Sequence, residues 1–468
     1  MGLSGILVLL AAALLLRFWM QFGYRLEWML AASVLALFRL QPEQGIRNLG
    51  FWFPIATLFL VFLSWLFITP LDARKNAHNL RTMLAISALC LLLAGSRAVG
   101  LHDIFSATIP PNFLAVLLAL CLFGGISVLL GKLFSGKRAA IIVYAVLLIT
   151  IFIWIKEPGL ATWLSGWLRS VNHQNPALAG AHDLSWLGYS YIAFRLLHTL
   201  RDYQTGRLPV LNLRDYLLYV IFFPTLQAGP IDRIQRFQKD LGDRLGLNSQ
   251  DFLYAGQRLG IGLMKKFVLA NTLAVIALSE ANLYQIRGTG WMWFCLYAYS
   301  FMIYFDFSGY TDIAIGLARL MGVQTPENFN HPYRQSNLTM FWNNWHITLT
   351  QWFRAYFFNP LTRTMRRRAD ALPAWAGILI PQILTMTLIG LWHGITWNFA
   401  LWGIWHGLGL FVQNRWSAWI QPRVALSSPA IRVANTLLTF HFVSLGWVFF
   451  LSPDLPSVLH AFSILMGS

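Results

Sequence analysis

Apolar residues run along this chain in long blocks, and the blocks are interrupted by short polar stretches. Residues 51–69, 83–95, 113–131 and 139–155 are each close to the roughly 20 apolar residues that carry a helix across a bilayer core. A β-barrel would show strands of about 10 residues alternating in character, and these runs do not. Counting them along the chain predicts about eleven spanning helices. Segments 28–40, 186–200 and 341–360 are too short or too polar for ordinary spans and read as re-entrant or interfacial. Residues 232–248 read as a surface helix opened by Asp232 as a cap, followed by a long helix over 251–283. The run from Leu3 leads into Arg17, Phe18 and Trp19 rather than a small-residue cleavage site, so the first segment is expected to stay as a membrane anchor.

The pattern predicts an all-α polytopic membrane protein. No internal repeat and no low-complexity segment breaks it, so residues 1–468 read as a single membrane domain. Within it, residues 1–180 are N-terminal helices of plain Leu, Ala, Val and Phe. Residues 181–410 place Asp, Asn, Arg and His among aromatic side chains, and 411–468 are C-terminal helices. The chemistry is expected in the second half.

Composition agrees: 57% hydrophobic and only 11% charged residues is far from the about 25% charged of soluble domains. The formal net charge of +17 does not form a nucleic-acid patch, because the basic residues sit in short loops. Residues 72–81 hold Arg74, Lys75 and Arg81, residues 101–112 hold no Lys or Arg, and 132–138 and 201–214 hold three each. That distribution orients the chain by the positive-inside rule and places Arg363, Arg366, Arg367 and Arg368 at the cytoplasmic face. A secondary role in attracting anionic lipid or an acidic carrier stays open. Cys90, Cys121 and Cys295 read as buried small hydrophobes, since no CxxC spacing is present.

Two histidines stand out, His346 in FWNNWHITLTQWFR and His393 in GLWHGITWNF. An ionisable group at membrane depth is costly unless it is buried in protein or lines a wet cavity, so each is a functional candidate. A continuous helix through His346 would align Trp342, Trp345 and Trp352 in one stripe beside it, and its Asn343, Asn344, Thr348, Thr350, Gln351 and Arg354 make the segment too polar to face lipid. The alternative is an interfacial helix anchored by its tryptophans, with His346 in water. Gly390 and Gly394 bracket Trp392 and His393 and permit close approach of backbone or substrate. Asn398 and Trp397 are placed to orient or stack on that ring. On a continuous helix His406 would point away from His393 and be structural. The separation of 393 − 346 = 47 residues is no metal-ligand signature. Asp306, in IYFDFSGYTD, calls for an Arg or hydroxyl partner, and His198, near Arg195, Arg201 and Asp202, reads as part of a structural ion-pair network. A histidine can take a proton from a hydroxyl and return it to a leaving group. No GxSxG, P-loop or HExxH motif offers another route.

The succession FFPTLQAGPIDR, GLMKKFVLAN, YFDFSGYTDIAIGLARLMG, ENFNHPYRQSNLTMFWNNWHITLTQWFRAYFFNPL and GLWHGITWNFALWGIWHG resembles the membrane-bound O-acyltransferase family, most closely its bacterial branch that acylates exported polymers. The likeness covers roughly residues 188–409. It implies a ring of tilted helices around a central funnel in the cytoplasmic membrane, with a donor entering from the cytoplasm and an acceptor on the other face. By motif, His393 matches the principal catalytic histidine and His346 the second. Arg354 matches the arginine of a WFR segment, although Ala355 stands where bacterial relatives commonly have an aspartate. Trp345, Asn344, Arg354, Trp392, Asn398 and Asp306 are expected to line the substrate site.

The implied activity is transfer of an acyl group, most simply acetyl, from acetyl-coenzyme A or an acylated carrier protein, with no permanently bound cofactor and no metal. The acceptor would be an exported polysaccharide or an extracytoplasmic partner protein, within a lipid membrane and alongside a polymer synthase or secretion complex. D-alanyl transfer to teichoic acid is one alternative. A proton-coupled transporter using the histidines and Asp306 is another.

Overall fold

A computed structural model describes residues 2–467 apart from 20–23, 43, 135, 243–248, 368–372, 374 and 421–427. Arg368 and the end of the expected 232–248 helix lie outside the described residues. Among the described residues the regular structure is helical, with a single isolated bridge between Phe329 and Trp345. Among the described residues six helices are long and apolar enough to cross a membrane: Leu49–Ile68, Ala77–Gly95, Phe113–Phe134, Arg138–Lys156, Ala376–His393 and Pro429–Leu451. The first four match the apolar runs read from the sequence, three of them within three residues and the second starting six residues earlier, at Ala77. At 18 to 23 residues and about 1.5 Å per residue, each reaches roughly 27–35 Å, the thickness of a hydrocarbon core.

The three segments set apart from ordinary spans by their length and polarity are short or broken here. Residues 28–40 and 186–200 become the helices Arg25–Arg39 and Tyr189–Gln204, of 15 and 16 residues. The expected helix over 251–283 is Ser249–Leu263 followed by a π-helical turn, Met264–Ala270, and the short helix Asn271–Ala274. Segment 341–360 is the most divided. It forms Leu338–Asn344, Ile347–Phe353, a π-helical turn Arg354–Phe358 and the start of Asn359–Arg366.

The chain packs as two compact units. The first comprises residues 1–257 with 314–325, the second 258–313 with 326–468. In the first unit, Phe113–Phe134 turns most of its surface outward, and Cys121 is exposed there, unlike the buried Cys90. Its polar contacts are local anchors. Asp183 accepts from Ser165 Oγ at 2.6 Å and Arg169 Nε at 2.9 Å, tying the helix Pro158–Val171 to the turn Ala181–Leu184. Burial pushes the Asp183 carboxyl up, but the hydrogen bonds from Ser165, Arg169 and the Gly180 N–H, with the Arg169 charge, outweigh it and hold the group below its ordinary value.

The His198 cluster is tied together by hydrogen bonds. Arg195 donates to the carbonyls of Tyr219, Val220 and Thr225 at 3.2, 2.7 and 3.0 Å, and His198 Nε2 lies 3.0 Å from the Tyr219 hydroxyl. That hydroxyl also donates to the Asp232 carbonyl at 2.7 Å. The Asp232 carboxylate accepts from the Arg233 N–H at the start of Ile234–Gly242 and pairs with Arg236 one turn on.

The second unit holds the polar half of the sequence. Its helix Ala376–His393 turns back through residues 394–396 into Trp397–Ile420, and small residues let the two helices touch. A Cβ at Gly403 would lie 2.4 Å from the Met386 carbonyl oxygen, and one at Gly390 would lie 2.0 Å from that of Phe399.

Candidate active site around two histidines

The backbone breaks at His346. Leu338–Asn344 ends at Trp345, and His346 takes a left-handed conformation, φ 44° and ψ 54°, before Ile347–Phe353 begins. A non-glycine residue in that region is uncommon and is held by its surroundings. Here the holding element is the extended stretch 328–330. The Ile347 N–H donates to the Asn328 carbonyl at 2.9 Å, and the Asn330 N–H donates to the Asn344 carbonyl at 3.0 Å. The His346 side chain does not cap the helix it precedes. Asn328 does so instead: its Oδ1 accepts from the Thr348 N–H at 3.2 Å and the Thr348 hydroxyl at 2.9 Å. The same oxygen lies 3.1 Å from His346 Nδ1.

The break cancels the tryptophan stripe expected of a continuous helix. Trp345 packs among Phe329, Tyr333, Phe341 and Trp447, and Trp342 packs against Trp402 and His406. Trp352 lies with Phe353 and Tyr356. His346 is 2% exposed, so it is enclosed by protein rather than set in an interfacial belt. The Phe307 ring covers one side at a centroid distance of 4.7 Å, and Trp392 stands at 6.0 Å.

Trp392 joins the two histidines. Its ring centroid lies 4.7 Å from that of His393 and 6.0 Å from that of His346. His393 is the last residue of Ala376–His393, where the helix dipole favours a cation. It is only half-buried, with Phe399, Trp402 and Phe450 around it at 6.0, 5.6 and 4.9 Å.

Several expected partners sit elsewhere. Asn398 donates to the Ser452 carbonyl at 2.8 Å, joining the start of Trp397–Ile420 to the end of Pro429–Leu451 instead of orienting His393. Trp397 is 81% exposed, and the indole beside His393 is Trp402. The space beside Gly390 and Gly394 is taken by Phe399, by its backbone and its ring respectively. Because the helix ends at His393, the phase argument that set His406 apart does not apply. His406 is fully buried against Trp342, Trp402 and Phe442, a packing position on other grounds.

Asp306 pairs with Lys266, a lysine where an Arg or hydroxyl was expected, and is half-exposed. Asp312, more deeply buried, pairs with Arg258 at 2.6 Å and Lys265 at 2.7 Å. The π-helical turn Met264–Ala270 thus brings two successive lysines to acids on one helix, Thr289–Leu320. Arg354 is exposed and donates to Asn343 Oδ1, while the Asn344 amide donates back to Met340 O at 2.8 Å. The structure therefore gathers His346, Trp392 and His393, and adds Asn328, Thr348, Phe307, Trp402 and Phe450. Sequence reasoning missed Asn328: it stands in ENF eighteen positions before His346, and nothing in helical periodicity links the two.

The stretch that matches known proteins includes these residues. The model of the MBOAT, membrane-bound O-acyltransferase family, matches residues 143–451. The teichoic acid D-alanyltransferase of Bacillus subtilis is 32% identical over 287 residues, 60% of this chain and 72% of the relative. The probable alginate O-acetylase of Pseudomonas aeruginosa is 35% identical over 278 residues, 58% of this chain and 50% of the relative. The peptidoglycan O-acetyltransferase of Helicobacter pylori is 35% identical over 258 residues, covering 54% and 46%. The chain thus spans about half the length of the last two.

Proposed function

The chain belongs to the membrane-bound O-acyltransferase family, and from that premise we propose that it moves an acetyl group from a cytoplasmic thioester to a hydroxyl of an exported polysaccharide or of a partner protein. The observation that carries this reading is the half-buried imidazole of His393 at a helix C-terminus, beside a second, enclosed imidazole.

In this reading the acceptor hydroxyl gives its proton to His393 as its oxygen attacks the thioester carbonyl. The imidazolium so formed is favoured by the carbonyl end of Ala376–His393. As the tetrahedral intermediate collapses, the C–S bond breaks and the sulfur leaves as the thiol, taking the proton back from His393. His346, held rigidly, orients the reacting groups. Phe399, Trp402 and Phe450 keep bulk water from the thioester, which would otherwise hydrolyse. Trp392, between the histidines, is the residue placed to touch the acyl chain. Acetyl-coenzyme A or an acylated carrier protein is the donor, and no bound cofactor takes part. The cytoplasmic membrane, with a polymer synthase or secretion complex on its outer side, is the setting.

A second reading has its own support. Of the three relatives above, the one that this chain covers most fully is named for D-alanyl transfer, so the donor could carry D-alanine and the acceptor be teichoic acid.

The test is purified protein in vesicles, offered radiolabelled acetyl-coenzyme A or a D-alanyl-carrier thioester with alginate, cellulose oligomers or teichoic acid. Transfer of label that His393→Ala abolishes supports the reading. Transfer at the wild-type rate in folded His393→Ala would overturn the role given to His393. Uptake of an intact solute with no turnover would favour a transporter.

A further inference from the structure

The hydrogen bonds around Asn328 decide which nitrogen of His346 carries its proton. Asn328 is fully buried. The Thr348 backbone N–H can only donate, so the amide atom that faces it at 3.2 Å must be the oxygen. The alternative placement would set the amide nitrogen, also a donor, against it. That same oxygen then faces His346 Nδ1 at 3.1 Å. An oxygen that only accepts requires a donor opposite, so Nδ1 carries the hydrogen, and in the neutral ring Nε2 carries the lone pair.

Resting on the acyl-transfer reading above, the geometry points to Asn328 as a positioning residue that locks His346 as the Nδ1–H tautomer, so that His346 serves as a hydrogen-bond acceptor through Nε2. A neutral His346 in this state cannot donate through Nε2 to a thioester carbonyl or to a developing oxyanion. It can accept a hydrogen bond from the His393 ring or from the acceptor hydroxyl, which aligns the proton that His393 removes. The two roles left open by the sequence, orienting and polarising, are thereby reduced to orienting.

The lock is built from backbone as well as side chain. The Asn328 carbonyl takes the Ile347 N–H and its Oδ1 takes the Thr348 N–H, so the amide cannot rotate without uncovering the helix start. The left-handed φ of His346 fixes the ring's point of origin, and Phe307 and Trp392 bound the ring itself. Among the described groups, the titratable neighbour whose charge acts on His346 is His393 on Ala376–His393. On Thr289–Leu320, the acid next to Phe307 is Asp306, already paired with Lys266. Arg354 is engaged with Asn343.

Two measurements test this. Solid-state NMR of the full-length protein in lipid vesicles, labelled with 15N-histidine and assigned by difference from His346→Asn, reads the tautomer without any need for turnover. A protonated Nδ1 and bare Nε2 at His346 in wild type, lost in Asn328→Ala, is the expected result. A protonated Nε2 with bare Nδ1 overturns the proposal. The second measurement is the pH profile of acyl transfer. Asn328→Ala should lower kcat roughly 10–100-fold, the usual cost of losing a group that orients a working histidine, with KM little changed. Asn328→Asp keeps the acceptor oxygens but adds a charge that favours imidazolium. It should recover much of the rate while moving the acidic limb up by about one pH unit or more. Equal loss at every pH in both variants would reduce Asn328 to a helix cap and overturn the proposal. Should the wild type transfer no acyl group, the functional reading fails by itself, and the NMR result still decides the tautomer. Should Asn328→Ala not fold, the wild-type spectrum and Asn328→Asp still decide it.

Discussion

Replacing Gly390 by alanine adds one methyl group one turn before His393, and the structure gives the size of the consequence. The new Cβ would lie 2.0 Å from the Phe399 carbonyl oxygen and 3.0 Å from its carbonyl carbon, both backbone atoms of the helix Trp397–Ile420. Nonbonded carbon to oxygen contacts do not go below about 3 Å, so the end of Ala376–His393 must withdraw by about 1 Å or Trp397–Ile420 must yield. Overpacking of this kind costs about 1–3 kcal/mol. A displacement of about 1 Å at a reacting group costs on the order of 100-fold in rate. Gly390→Ala should therefore lower the thermal unfolding midpoint in detergent and reduce acyl transfer about 100-fold, with kcat affected more than KM. Gly377→Ala, near the start of the same helix, is the control. A Cβ there meets nothing within 4 Å, and alanine in a helix is worth roughly 0.5–1 kcal/mol over glycine. That variant should be as active as wild type and slightly more stable. The reasoning fails if Gly390→Ala matches wild type in both midpoint and transfer rate.

Asp312→Asn removes a carboxylate that is 7% exposed and holds both Arg258 and Lys265, whereas Asp306→Asn removes one that is 48% exposed and holds Lys266. The buried carboxylate joins two cations and the open one a single lysine, so thermal unfolding should rank Asp312→Asn as the more destabilised, with Arg258 keeping Glu327 as a partner. Asn398→Ala leaves the buried Ser452 carbonyl without its donor and should cost about 1–3 kcal/mol by denaturant titration, and Asn398→Asp, which cannot donate when ionised, at least as much. Asp183→Asn should cost about 1.5–3 kcal/mol at neutral pH, since a carboxylate that accepts from Ser165 and Arg169 is lost. The folded Asp183 carboxyl is held below its ordinary 3.8, so its contribution is complete above that value and disappears as pH falls through the folded one. Midpoints of wild type and Asp183→Asn measured from pH 7 downward should therefore begin to draw together only below about 3.8.

Hydropathy located the four early spans to within six residues because a bilayer imposes one length on every helix that crosses it. It failed over 249–274 and 338–366 for a common reason. In both stretches the composition is compatible with a continuous helix, and the interruption is imposed by groups remote in sequence. At Met264–Ala270 two lysines must reach Asp306 and Asp312, some forty residues on, and the widened turn realigns the following residues. At Trp345 and His346 the backbone leaves the helix because 328–330 takes over its hydrogen bonds. Periodicity is blind to a partner outside the window, so the tryptophan stripe and the phase of His406 both rested on a continuity that tertiary contacts remove. The histidines themselves were legible, since an imidazole in an apolar segment demands a reason whatever the local conformation. What sequence could not supply was their difference in access. His393 is half-buried at a helix end and His346 is sealed behind Phe307, Trp392 and Asn328. A group that must meet a substrate needs the first environment, and a group that must hold one proton arrangement unchanged through turnover needs the second. The left-handed break at His346 serves both, because it aims that ring toward Trp392 and His393 while leaving its Nδ1 against an oxygen that cannot turn away.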